Sequence, residues 1–167
     1  MKGLVIFYSR SGNTRKIAQE ISTALKFDLE EIFDTRAREG LWGFLSAGND
    51  ASKRRLTSIK ENKKDPSFYE LIIIGTPIWA GNISVPIRTY LHMHKKDFNQ
   101  VAFFYTGLNS NNTKVFKDME EICGKKPLSL LEITSREIKR NIYQAKVKEF
   151  IKSISEEMRK ANENHGA

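Results

Sequence analysis

Ser9, Arg10, Ser11, Gly12, Asn13 and Thr14 place three hydroxyls, a carboxamide, a guanidinium and a glycine in consecutive positions. They stand between an apolar run, Leu4-Val5-Ile6-Phe7-Tyr8, and a segment whose apolar residues recur at helical spacing. A strand–turn–helix junction of this composition gathers free backbone N–H groups at the positive end of a helix. That is the chemistry of an anion site, and above all of a phosphate site. Capping a helix explains one such residue, not a cluster of them. The Walker pattern G-x-x-x-x-G-K-[ST] and the dinucleotide pattern G-x-G-x-x-G are both absent. The single cysteine, Cys123, falls on a predicted helix far along the chain, so the loop lacks a thiolate nucleophile. The loop therefore holds a phosphate and does not cleave one.

Two further segments carry unusual loop chemistry. Thr76, Pro77, Ile78, Trp79, Ala80, Gly81 and Asn82 follow the apolar run Leu71-Ile72-Ile73-Ile74-Gly75. A tryptophan in such a loop offers a flat π face for stacking on a planar heterocycle, and Gly81 permits close backbone approach. Covering the core is the alternative role for Trp79. Thr106, Gly107, Leu108 and Asn109, followed by Ser110, Asn111 and Asn112, supply amides able to bond the edge of a polar ring system. Read alone, this third segment is an ordinary polar turn. Beside a phosphate loop, the set favours a planar, phosphorylated cofactor.

The elements that must position these loops alternate between strand and helix. Strands are expected at residues 4–8, 27–33, 71–74, 101–105 and 128–133. The second of these is a weaker, edge strand, and the third stops at Gly75-Thr76-Pro77. Ile17, Ala18, Ile21, Ala24 and Leu25 mark a first helix from Thr14 to about Lys26. A second helix covers residues 85–94, with Pro86 in its first turn. Val115, Phe116, Met119 and Ile122 mark a third, and Ile142, Ala145, Phe150, Ile151, Ile154 and Met158 a long last one. Leu41-Trp42-Gly43-Phe44-Leu45 reads as the start of a short helix, and residues 57–65 as a solvated loop or helix end. The order β-α, repeated five times, predicts a doubly wound α/β domain. Its five-stranded parallel sheet carries helices on both faces and right-handed crossovers. Ligands in such sheets sit beyond the carboxyl ends of the strands at the switch in strand order, where the three loops converge.

Composition sets the remaining bounds. A chain of 167 residues with 40% hydrophobic content supports one core, expected over residues 1–160 with a frayed tail at 161–167. No apolar run approaches the roughly 20 residues of a membrane span. Residues 1–3 lead straight into a strand without a signal-peptide pattern, so a cytoplasmic location is expected. One cysteine excludes an internal disulfide and a multi-cysteine metal site. The net charge of +8 is scattered in small groups, such as Lys53-Arg54-Arg55 and Lys125-Lys126. With no basic stripe interleaved with aromatics, nucleic acid is not an expected partner. His92 and His94 lie two apart on a helix and make a poor metal pair. Packing is the expected role of Trp42 and Phe44, with a place near the rim of the cofactor as the alternative, and Cys123 is expected as a small core residue.

Residues 5–14 and 73–81, with Thr106-Gly107, together resemble the flavodoxin-like FMN proteins, and the match in spacing covers nearly the whole chain. The likeness is greatest to flavodoxin-domain proteins whose second loop reads G-T-P-x-W-x-G. The resemblance implies FMN as cofactor and strand order 2-1-3-4-5. It assigns Ser9, Ser11, Asn13 and Thr14 to the phosphate, with backbone N–H groups from Arg10 and Gly12. It sets Thr76, Pro77, Ile78, Trp79, Ala80 and Gly81 along the isoalloxazine, and Thr106, Gly107, Leu108 and Asn109 at its other edge. Unlike electron-carrying flavodoxins, the chain has no aromatic at 109–112 and is basic. The implied function is electron transfer with a redox partner protein, an acidic one given the +8 charge. The alternatives are an FMN-dependent NAD(P)H or quinone oxidoreductase, with a small quinone-like acceptor, and a non-redox module that kept the fold.

Overall fold

In strand β1, Gly3–Phe7, every residue is buried, so both faces of the strand need a cover. The computed structural model describes residues 2–35 and 56–164. Within them the order of elements is β1, α1 (Asn13–Leu25), β2 (Asp28–Glu31), a 3₁₀ turn (Pro66–Phe68), β3 (Leu71–Trp79) and β4 (Asn82–Ile83). There follow α2 (Val85–His94), β5 (Gln100–Gly107), α3 (Thr113–Cys123), β6 (Leu130–Thr134), α4 (Ser135–Arg140) and α5 (Gln144–Asn164). The expected helix at 41–45 and the cluster at 53–55 lie outside the described residues.

The sheet runs β2-β1-β3-β5-β6, with β4 paired only to β3. All four pairings along that order are parallel. Numbered among the parallel strands alone, this is the expected order 2-1-3-4-5, and the fold is the doubly wound α/β sheet read from the sequence. The switch in direction lies between β1 and β3, whose register pairs Phe7 with Gly75.

Alternation along the strands sorts side chains between two cores. Leu4, Ile6, Ile72, Ile74, Val101, Phe103 and Tyr105 pack with Val85, Ile87, Tyr90 and Leu91 of α2 and with Val115, Phe116 and Met119 of α3. Val5, Phe7, Ile73, Ala102, Phe104, Leu131 and Ile133 face the other way. They meet Ile17, Ala18 and Ile21 of α1 and Val147, Phe150 and Ile154 of α5. The tip of the Phe104 ring fills the space over Gly75, where a Cβ would come within 2.0 Å of its Cζ.

Four expectations need correction. Strand β3 does not stop at Pro77. It continues to Trp79, because Pro77 still pairs with Thr106 of β5, and Ile78 and Trp79 then pair with Ile83 and Asn82 of β4. The last helix is two helices. Thr134 and Glu137 form a reciprocal capping box that starts α4, and Asn141, at φ +55°, ends it. Ile142 therefore sits in the break, 60% exposed, and Tyr143 and Val147 take the buried positions instead. Ala24 and Ala145, expected inside, are exposed. The second strand is shorter than residues 27–33 and ends at Glu31.

Candidate functional site

The first loop leaves β1 where Tyr8 N–H donates to Gly75 O (3.3 Å), tying it to β3 at the switch point. Ser9 is buried, and its Oγ accepts from Gly12 N–H at 3.2 Å. Gly12 is the N-cap of α1 at φ +89°, and no side chain caps the helix. The first N–H groups of a helix have no intrahelical partner. A Cβ added at Gly12, which precedes them, would meet nothing within 4 Å. Ser11 is exposed beside them and Arg10 is half-buried. Arg15, one turn on, is committed elsewhere: its guanidinium grips Glu31 of β2 at 3.0 and 2.8 Å.

The second segment is a hairpin, not an open loop. Ala80 (φ +47°) and Gly81 (φ +73°) are the two central residues between paired Trp79 and Asn82. Left-handed conformation at both positions is the signature of a type I′ turn, whose twist suits a two-residue hairpin. Gly81 thus serves the turn. The Thr76 hydroxyl is used in the scaffold, lying 2.9 Å from Ser84 Oγ and accepting from Ser84 N–H at the start of α2. Trp79 is 7% exposed and meets the Tyr8 ring edge-on, centroids 5.4 Å apart and planes at 89°. The same tryptophan therefore belongs to the core and borders the first loop.

The third loop is braced from beneath. Tyr105 OH donates to Glu132 Oε2 (2.6 Å), Asn111 N–H donates to the same oxygen (2.9 Å), and Asn112 N–H donates to Tyr105 OH (3.1 Å). Burial and then the Glu132 bond push the Tyr105 hydroxyl up to about 12, so it stays protonated and donating. Leu108, 83% exposed, caps the loop, with Asn109 and Ser110 exposed beside it.

The three segments meet along one sheet edge. Thr14 and Thr106 share a buried hydroxyl–hydroxyl bond of 2.8 Å. Asn13 Nδ2 donates to Ser135 Oγ (3.4 Å), which donates to Gly107 O (3.1 Å). Asn112 Nδ2 reaches Gly81 O at 3.1 Å, and Lys114 Nζ of α3 reaches Asn82 Oδ1 at 2.6 Å. Ile78 covers Gly107, where an added Cβ would stand 3.3 Å from its Cδ1. So Ser9, Gly12, Asn13, Thr14, Ile78, Trp79, Gly81, Thr106 and Gly107 are brought together. Thr76 lies beneath them and Leu108 and Asn109 lie on the rim.

Sequence reading missed Tyr105, Glu132 and Ser135. Only Ser135 had a readable signal: Thr134-Ser135-Arg136-Glu137 is a capping-box pattern that opens a helix beside the third loop. Among the described residues no cluster of three or more His, Cys, Asp or Glu could hold a metal. No helix there is long and apolar enough to cross a membrane.

The five-stranded parallel order, with its switch in direction beside the first helix, is a flavodoxin-like fold. The chain matches no family model and no curated protein. Among solved structures it is similar to a flavoprotein in complex with FMN from Lactobacillus acidophilus NCFM. That likeness has 26% identity and a TM-score of 0.70, over 83% of this chain and 97% of that one. A putative flavoprotein from Bacteroides uniformis matches at 22% identity and TM-score 0.67, over 90% and 97%. Oxidised flavodoxin 2 from Bacillus cereus matches at 20% and 0.57, over 94% and 99%.

Proposed function

We propose that the chain binds FMN at this edge and works as an electron-transfer protein. The observation that carries the reading is the uncapped N-terminus of α1 at Gly12, open to a ligand and tied directly to the third loop. The residues fit the group. Ser9, Ser11, Asn13 and Thr14, with the N–H groups after Arg10 and Gly12, suit a phosphate dianion. Residues 76–81 and 106–109 border the place for a flat ring. Bound FMN supplies the electron chemistry, and the protein's part is to bind, orient and shield it.

The three segments, residues 9–14, 76–82 and 106–112, contain no Asp, Glu, His, Cys or Lys. Glu132, just below, is occupied by Tyr105 and Asn111. A site without a placed general acid or base favours a carrier over an enzyme that protonates its substrate. With a net charge of +8, an acidic redox protein in the cytoplasm is the fitting partner, and residues 1–160 act as one domain.

A visible spectrum of the purified protein tests the cofactor, followed by anaerobic reduction with dithionite and then with NADPH. Yellow protein slowly reduced by NADPH supports the carrier. Rapid reduction by NADPH alone would turn the assignment toward an NAD(P)H or quinone oxidoreductase. Colourless protein that quenches no added FMN fluorescence would sink the flavin reading.

A further inference from the structure

Third-loop geometry depends on two side chains outside the loop. Tyr105 lies on β5 with no exposure, and Glu132 on the neighbouring strand β6, in register with it. Between them they receive the N–H groups of Asn111 and Asn112, two consecutive amides at the end of the loop. Asn111 sits at φ +64°, a left-handed conformation that asparagine tolerates better than other non-glycine residues. Asn112, so placed, carries its own amide to Gly81 O in the β3–β4 hairpin. One carboxylate and one phenol thus set both the third loop and its distance from the second. Lys146 of α5 holds Glu132 from behind, donating to its backbone oxygen at 3.4 Å.

We infer that Glu132 and Tyr105 are positioning residues for the ring end of the cofactor: they fix the third loop at the separation from the hairpin that a flat ring system requires. The inference rests on the FMN reading. It differs from the phosphate end, which is tied through Thr14, Thr106, Asn13 and Ser135. Neither residue touches the first loop in any of these bonds. Loosening them should weaken FMN and riboflavin equally, because both ligands share the ring and only one carries the phosphate.

The test is a fluorescence titration of the apoprotein with FMN and with riboflavin, for wild type, Tyr105→Phe, Glu132→Ala and Glu132→Gln. Tyr105→Phe keeps the buried ring and removes only the hydroxyl. For Tyr105→Phe and Glu132→Ala, both dissociation constants should rise by about tenfold, the size of one lost hydrogen-bonded contact. The visible band of bound flavin should shift with them. Glu132→Gln keeps an acceptor at the same place and should restore most of the affinity and the band. A purely structural role would lower the melting temperature and leave the band of the bound flavin unmoved, and that outcome overturns the assignment. So does a loss confined to FMN, which would place the effect at the phosphate. Wild-type protein that binds neither flavin overturns the FMN reading itself, and this assignment with it.

Discussion

The Thr14–Thr106 bond is the shortest route between the first and third loops, and its contribution can be measured in the flavin-free protein. Thr14 is 1% exposed and Thr106 4%, and their hydroxyl oxygens stand 2.8 Å apart. Thr14→Val or Thr106→Val leaves the shape nearly unchanged and strips one hydroxyl of its buried partner. Desolvation of the orphaned group is then uncompensated, at about 1–3 kcal/mol. The double substitution removes both groups together. Apolar side chains of the same shape facing each other are nearly neutral, so it should cost no more than either single change. The coupling in the double-mutant cycle is therefore at least as large as one single-variant loss, about 1–3 kcal/mol. Urea unfolding reads it directly: at a slope of about 2 kcal/mol per molar, each single variant should lose roughly 0.5–1.5 M in midpoint. If the losses of the two single variants simply add in the double variant, the hydroxyls do not bond each other, and the reasoning fails.

Other outcomes follow from individual contacts. Gly75→Ala forces a Cβ to within 2.0 Å of the buried Phe104 ring, and should lower stability by about 3 kcal/mol in urea unfolding. Gly12→Ala meets no atom within 4 Å but must hold φ +89°, so strain alone should destabilise the apoprotein by about 1–2 kcal/mol. Burial raises the Glu137 pKa, but bonds from Lys146 and Thr134 outweigh it and hold the carboxyl below its usual value. Its contribution is thus fully present above the unfolded-state pKa of about 4.3 and is lost as pH falls through the lower folded value. Glu137→Gln should accordingly flatten the fall in urea midpoint on acidification. Burial pushes the Cys123 thiol up, so it should react slowly with a disulfide reagent in the native protein and rapidly in urea.

The parts of this molecule that were legible in its sequence are those where one residue type has one physical use. Leu4 to Phe7 and Leu71 to Ile74 have no polar member, which only a strand covered on both faces explains. Helix α2 begins at Val85 with Pro86 in its first turn, where a missing N–H costs nothing. What stayed hidden depends on partners distant in sequence. Pro77 looked like a strand end because proline cannot donate to a ladder. It continues the strand because its remaining bonds go to β5 on one side and the chain then folds back on β4. Ile142 fitted the helical period of α5, but Asn141 adopts the left-handed cap and removes it from the helix. Glu132 carries no local signal at all. Its role appears only when β6 is laid beside β5 and its carboxylate meets Tyr105.

The bracing of the three segments bears on how a ligand would be held. Each pair of neighbouring loops is already in contact: first to third through the Thr14–Thr106 bond, third to second through the Asn112–Gly81 bond, and the entry to the first with the second through the edge-on rings of Tyr8 and Trp79. A cofactor entering such a rim has little backbone left to order, which lowers one of the costs of binding. The unmet demand is electrostatic and local, at the N–H groups of α1 after Gly12, where no side chain caps the helix. A phosphate answers that demand and a neutral ring does not. Affinity should therefore divide unequally, with the anion anchored to a fixed helix end and the ring fitted to a rim whose spacing Glu132 and Tyr105 maintain. On this division, phosphate-loop substitutions change how tightly the cofactor is kept. Substitutions beneath the third loop loosen phosphorylated and phosphate-free flavin alike and change the environment the ring experiences.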